Sequence, residues 1–247
     1  MNVTVLAAGY ATRLYPLTID RPKALLKVGS KNLIDHLMDN VKNARPKQVA
    51  VVTNHRFAGA FEAWAKASSG LKISVWDDGT TDNDNRLGAI GDLKFVIDKA
   101  GLAGDDLMVL ASDNLFDASL ADFVKEAAKR PDAVSIGVYD IGDPSLASKR
   151  YGVVEMDKNR KVIRIDEKPE KPRFPWVSMG VYYFGKNILP KVDEYLNSGA
   201  AKDAPGHFVI WLLDKVGVYG VPFSGRWFDI GSHDQLEHAS RTYEGAK

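Results

Sequence analysis

Residues 3 to 23 hold the side chains whose types and spacing are best suited to chemistry. A short apolar run, Val3-Thr-Val-Leu6, breaks at Ala7-Ala8-Gly9 into a polar loop with Thr12, Arg13 and, after Pro22, Lys23. β-branched residues followed by small ones describe a strand emptying into a tight loop. Small residues at Ala7, Ala8, Gly9 and Ala11 let backbone N–H groups approach an anion closely, and Arg13 and Lys23 supply the positive charge that a polyphosphate requires. A dinucleotide loop wants glycine at positions 9, 11 and 14, where this chain has Gly9, Ala11 and Leu14. A Walker-type loop ends in Gly-Lys-Ser/Thr, and none follows. The spacing therefore describes a third kind of anion site. A second chemical group stands far along the chain: the apolar run Leu107–Ala111 stops at Ser112-Asp113-Asn114, which puts Asp113 at the carboxyl end of a predicted strand, where open α/β sheets keep their ligands.

The elements that must position these residues follow from periodicity. Leu33, Ile34, Leu37, Met38 and Val41 recur at helical spacing from Asn32 to Ala44, and Arg45-Pro46 ends the run. Strands are predicted at 48–53 and 72–76, with a helix at 57–68 between them that turns Phe61 and Trp64 inward. Strand, helix, strand is the rhythm of a parallel sheet. Residues 77–86 read as an exposed polar loop in which Asp77, Asp78, Asp82 and Asp84 are solvated. Helical periodicity returns at 87–98, Ser119 is placed to cap a helix reaching Arg130, and 133–139 is a further strand. Beyond Gly142 the pattern changes to a hairpin, Tyr151–Met156 with Lys161–Ile165, then a strand at 177–184. Helices are predicted at 186–197 and 207–215, a strand at 218–223 and a closing helix at 232–243.

Composition limits the partners. In 247 residues, 33 Lys and Arg nearly cancel 32 Asp and Glu, leaving +1, so no global basic field draws the chain to nucleic acid or an acidic membrane. There is no cysteine, which excludes a disulfide scaffold and thiolate metal sites. No apolar run approaches the ~20 residues of a membrane span, and the N-terminus lacks a basic leader with a cleavage site. The expectation is a cytoplasmic protein with small-molecule partners, and assembly into a homo-oligomer is compatible with it.

Leu6-Ala-Ala-Gly-Tyr-Ala-Thr-Arg-Leu-Tyr-Pro-Leu-Thr18, followed by Pro22-Lys23, resembles the signature of the sugar-1-phosphate nucleotidyltransferases, with Ala11 where the family pattern has Gly. Four later segments extend the resemblance. Leu87-Gly88-Ala89 resembles the family's base-contacting turn and Ser112-Asp113-Asn114 its metal-binding segment. Tyr151-Gly-Val-Val-Glu155 with Glu167-Lys168-Pro169 resembles its sugar-phosphate site, and Gly225-Arg-Trp-Phe-Asp-Ile-Gly231 its second metal segment.

The resemblance implies an α/β three-layer sandwich with a mostly parallel, mixed sheet, of the Rossmann-like nucleotide-diphospho-sugar transferase fold. One domain would span 1–247, with a nucleotide-binding half at 1–140 and an acceptor-binding half at 141–247. It implies Arg13 and Lys23 as catalytic cations, and nucleotide contacts at Leu6, Ala8, Gly9, Ala11, Thr12, Asn85 and Gly88. Acceptor contacts fall at Gly152, Glu167, Lys168 and Gly180, and Mg²⁺ at Asp113 and Asp229. The implied reaction joins an NTP and a sugar 1-phosphate to give an NDP-sugar and pyrophosphate. Two other readings follow from the same residues: a cytidylyltransferase acting on a non-sugar phosphate or phosphonate such as phosphocholine, and a non-catalytic regulatory relative. Gly206-His-Phe-Val-Ile-Trp-Leu-Leu-Asp214 stands where thymidylyltransferase-like members carry Gly-Glu-Leu-Glu-Ile-Thr-Asp, so two acids are replaced. The chain ends soon after the closing helix, which sets the expectation of a transferase without an added β-helix domain.

Overall fold

The computed structural model describes residues 1–243. The strands are β1 (Asn2–Leu6), β2 (Lys27–Val28), β3 (Lys31–Asn32), β4 (Val49–Thr53), β5 (Ile73–Asp77), β6 (Leu107–Ala111), β7 (Asn114–Phe116), β8 (Val134–Asp140), β9 (Gly152–Met156), β10 (Val162–Glu167), β11 (Trp176–Phe184), β12 (Val218–Phe223) and β13 (Trp227–Asp229). The α-helices are α1 (Leu33–Asn43), α2 (Ala58–Ala67), α3 (Ala89–Lys99), α4 (Leu120–Ala127), α5 (Lys191–Asn197), α6 (Pro205–Leu212) and α7 (His233–Thr242).

The period-2 pattern of the strands splits the interior into two cores. Val3, Val5, Val49 and Val51 point to one face, against Leu37, Met38 and Val41 of α1, Phe61 of α2 and Phe123 of α4. Ala50, Val52, Leu107 and Val109 point to the other, against Leu93 and Val96 of α3, Tyr195 of α5 and Phe208 of α6. Two buried faces explain why these strands are almost uninterrupted apolar runs, and the result is the expected three-layer sandwich. Among the described residues the central sheet has nine strands. β6, β1, β4 and β5 run parallel, so their carboxyl ends open on one side. β11 joins antiparallel to β6 and β8, and β12 lies parallel to β8. The β9–β10 hairpin attaches to the first half of β11 through Val153 and Val177. β11 changes register between Ser178 and Tyr182, around Gly180 at φ +71°.

Several boundaries differ from the periodicity, two of them at a proline. The predicted helix 186–197 is a 3₁₀ turn at Lys186–Ile188 followed by α5, because Pro190 has no N–H to continue the ladder. α6 starts earlier than expected, at Pro205, where a missing N–H is tolerated in the first turn. The Ser119 hydroxyl does accept from Asp122 N, but α4 ends at Ala127. Two three-residue strands, β7 and β13, were not legible at all, and they pair antiparallel as a separate ribbon.

Asp78 also departs from expectation. Its Oδ1 accepts from the backbone N–H and hydroxyl of Thr80, at 2.7 Å each. Its Oδ2 is buried without a partner, as is Oδ1 of Asp92, which lies in the first turn of α3. Burial, then the neighbouring Asp78, pushes the Asp92 carboxyl up to about 8. One proton held between the two carboxyl groups satisfies both orphaned oxygens.

Candidate active site

A cleft of about 300 Å³ opens at the carboxyl ends of β1 and β6. Its wall includes Arg13, Asp113, Gly152, Glu167, Lys168, Gly180 and Asp229, seven residues singled out from the sequence. It also includes Lys149, Arg150, Tyr151 and Trp227. Four cations therefore face three carboxylates, a balance suited to an anionic ligand held beside a carboxylate pair.

The anion loop is fixed from behind. Ala7 N–H donates to Val52 O, the buried Asn54 amide donates to Ala8 O, and the Thr18 hydroxyl donates to Ala11 O, at 2.8 to 2.9 Å. Ala11 sits in the left-handed region at φ 48°, ψ 43°, which explains the family preference for glycine there. The Thr12–Leu14 3₁₀ turn buries Leu14 and leaves Arg13 exposed. Among the described residues no hydrogen bond or ion pair holds the Arg13 guanidinium, which reaches toward Gly231. Lys23 is different. It begins a 3₁₀ turn whose Ala24 and Leu25 enter the core, and its Nζ contacts Asp113 Oδ2 at 2.8 Å.

The two aspartates are brought together by the β7–β13 ribbon, which pairs Asp229 with Asn114, while Ile230 N–H donates to Asp113 O at 3.0 Å. Burial, then the charge of Asp113, pushes the Asp229 carboxyl up to about 6, with Lys23, Arg150 and Arg13 pulling the other way. No hydrogen bond or ion pair among the described residues engages the Asp229 carboxylate. No group of three or more His, Cys, Asp or Glu among them is placed to hold a metal.

Glu167 lies opposite Gly152 in the hairpin, and it fits only because two glycines make room. A Cβ at Gly152 would come to 3.0 Å from Oε2, and one at Gly206 to 2.5 Å. Lys168 follows at φ 47°, with its N–H on Tyr151 O. Gly180 combines a positive φ with a close approach: a Cβ there would meet Ala111 Cβ at 2.9 Å and Asn114 Nδ2 at 3.3 Å. Gly180→Ala is expected to cost about 1–3 kcal/mol in a denaturant titration, through strain at that φ and displacement of Asn114. An unchanged unfolding midpoint would show that β11 relaxes freely around the bulge.

Leu6, Ala8, Gly9, Ala11 and Thr12 lie on the same edge as the cleft, at the end of β1. Gly88, at φ +81°, caps α3 and packs under the backbone of Lys202, where a Cβ would approach Lys202 O to 2.8 Å. Asn85 stands apart. Its side chain accepts from the N–H groups of Thr81 and Asp82 and donates to Thr81 Oγ1 and Asp82 Oδ2, so its amide is committed to its own loop and does not line the cleft. Sequence reasoning missed Arg150, whose guanidinium lies 4.9 Å from the Tyr151 ring centre and donates to its hydroxyl. Its one signal was adjacency to the Tyr151-Gly152 segment.

A family profile described as nucleotidyl transferase matches residues 2–245, so the chain belongs to the nucleotidyl transferase family and is a nucleotidyltransferase. The resemblance to the sugar-1-phosphate nucleotidyltransferases is borne out with it. A glucose-1-phosphate thymidylyltransferase of Neisseria meningitidis is 27% identical over 97% of this chain and 81% of its own length. A Sulfolobus acidocaldarius protein assigned as a mannose-1-phosphate guanyltransferase is 31% identical over 94% of this chain, which spans only 60% of that protein. The fold is shared with the crystal structure of a Bacillus anthracis protein assigned as a glucose-1-phosphate thymidylyltransferase, at a TM-score of 0.83 and 23% identity, covering 100% of this chain and 98% of the other. No helix among the described residues is long and apolar enough to cross a membrane.

Proposed function

We infer that this protein condenses a nucleoside triphosphate with a sugar 1-phosphate to give an NDP-sugar and pyrophosphate. A phosphate oxygen of the sugar 1-phosphate attacks the α-phosphorus, a new P–O bond forms, and the bond between the α-phosphorus and its bridging oxygen breaks as pyrophosphate leaves. The observation that carries the reading is the meeting of Asp113 and Asp229 beside Arg13, in the same cleft as Glu167 and Lys168. The first half of the chain supplies the triphosphate site and the second the acceptor site, with the β7–β13 ribbon as the seam.

Both substrates are strongly anionic, so the protein contributes mainly position and charge. Arg13, unpaired among the described residues, is available to the α-phosphate and the departing pyrophosphate. Lys23 neutralises Asp113 in this structure and is within reach of a phosphate that displaces it. Lys168 holds the acceptor's phosphate, and Glu167 with the backbone at Gly152 and Gly180 meets its hydroxyls.

A divalent cation fits Asp113 and Asp229, because the half-buried Asp229 carboxylate stands beside the charge of Asp113 and no hydrogen bond or ion pair among the described residues engages it. Mg²⁺ usually takes only one or two carboxylates and leaves the rest of its shell to water and phosphate. When bound, it supplies positive charge against the α-phosphate. A cytoplasmic location fits soluble triphosphate and sugar-phosphate substrates.

A matrix of NTPs against sugar 1-phosphates, read by pyrophosphate release with Mg²⁺, tests the function. At least one pair is expected to turn over well above the others, and silence across the matrix would overturn it. Lys168→Ala is expected to raise the acceptor KM by about tenfold or more with the NTP KM little changed. A rise in the NTP KM alone would place the triphosphate, and not the acceptor, in the second half.

A further inference from the structure

The buried amide of Asn114 joins the aromatic wall of the cleft to one of the two aspartates. Trp227 Nε1–H donates to Asn114 Oδ1 at 2.7 Å, and Asn114 Nδ2 donates to Asp113 Oδ1 at 3.0 Å. The direction of this chain of bonds is fixed by chemistry. An indole N–H can only donate, so it claims the amide oxygen and turns the NH₂ toward the carboxylate. Asn114 is buried, so bulk water offers its amide no ready alternative partner. The absent side chain of Gly180 leaves the space that the amide nitrogen occupies. With Lys23 on Oδ2, both oxygens of Asp113 are then held.

The other end of the chain of bonds lies in the cleft. The Trp227 ring packs on Tyr151 at 5.0 Å and on Tyr139 at 5.4 Å between centres, and Trp227 and Tyr151 both line the cavity. A ligand pressed against this wall therefore bears on the ring whose N–H sets the Asn114 amide.

We propose that Trp227 and Asn114 are positioning residues that orient the Asp113 carboxylate for a divalent cation and make that orientation respond to the acceptor held against the Trp227 ring. The proposal rests on the reading of Asp113 and Asp229 as a cation site. Its distinguishing feature is that one atom, the indole N–H, serves the cation site, while the rest of the same ring serves the acceptor.

Trp227→Phe removes that N–H and keeps an aromatic ring against Tyr139 and Tyr151. Tyr151→Leu removes an aromatic partner and keeps the N–H. Mn²⁺ alone, titrated against each folded protein and followed by the free-ion electron paramagnetic resonance signal, reads the cation site without turnover. The Mn²⁺ dissociation constant is expected to rise about tenfold in Trp227→Phe, as for loss of an outer-shell hydrogen bond, and to stay at the wild-type value in Tyr151→Leu. In turnover of the best pair from the NTP matrix, Trp227→Phe should lower kcat at low Mg²⁺ and recover at high Mg²⁺, whereas Tyr151→Leu should raise the acceptor KM at every Mg²⁺ concentration.

Wild-type Mn²⁺ affinity in Trp227→Phe would overturn the positioning role and leave Trp227 as wall alone, with the proposed function intact. If wild-type protein binds no Mn²⁺ at all, the cation site and this proposal both fall. Circular dichroism confirms that each variant is folded before it is compared.

Discussion

Arg13→Ala is expected to lower turnover by about a hundredfold or more and to leave the fold intact. The magnitude is that of removing one preorganised charge from a transition state. The structural reason for an intact fold is that the side chain is exposed and has no bonded partner among the described residues, while its neighbour Leu14 does the packing. Lys23 makes the contrast informative. Removing it leaves Asp113 and Asp229 facing each other with one compensating cation fewer, so its variant should lose stability as well as activity. Steady-state kinetics with a thermal melt separates the two. Near-normal kcat in Arg13→Ala would refute the role given to it.

Asp92→Asn is expected to stabilise the protein at pH 8 and to make little difference at pH 4. In the unfolded chain the carboxyl titrates near 3.8, and in the folded protein near 8, because burial and the neighbouring Asp78 disfavour its charge. Between those values the folded state keeps a proton that the unfolded state has released. Stability therefore falls as pH rises from about 4 to about 8 and is level above that. A shift of this size corresponds to a penalty on the order of 5 kcal/mol at pH 8. An asparagine has no such titration, and its NH₂ can donate to the orphaned Asp78 Oδ2. For a domain of this length the melting temperature at pH 8 should rise by on the order of 10 °C. A melt that is lowered equally at both pH values would mean that Asp92 is ionised and paired in the fold.

The anion loop was legible because its chemistry is local. Strand, small residues, Arg13 and Lys23 lie within about two dozen positions, and their types alone exclude the glycine-rich alternatives. The α/β order was legible for a similar reason: strands buried on both faces are continuous apolar runs, and helices such as α1 repeat their apolar residues every three to four positions. The sequence also supplied Asp113 and Asp229 as separate candidates through resemblance to a family.

Tertiary structure alone decided what those residues meet. β7 and β13 are three residues each, too short for period two to register, yet their pairing puts Asp229 beside Asn114. The Trp227–Asn114–Asp113 chain of hydrogen bonds depends on that register, and a slip of one residue would turn Trp227 to the other face. The ion pair of Lys23 with Asp113 spans 90 positions of sequence. Asp78 reads as one of several acids in a solvated loop until α3 is packed over it and Asp92 arrives from another element. In each case at least one partner comes from a different element of the fold, which no local spacing announces, and the energies that matter, burial of charge and pairing of buried polar atoms, exist only once the chain has folded.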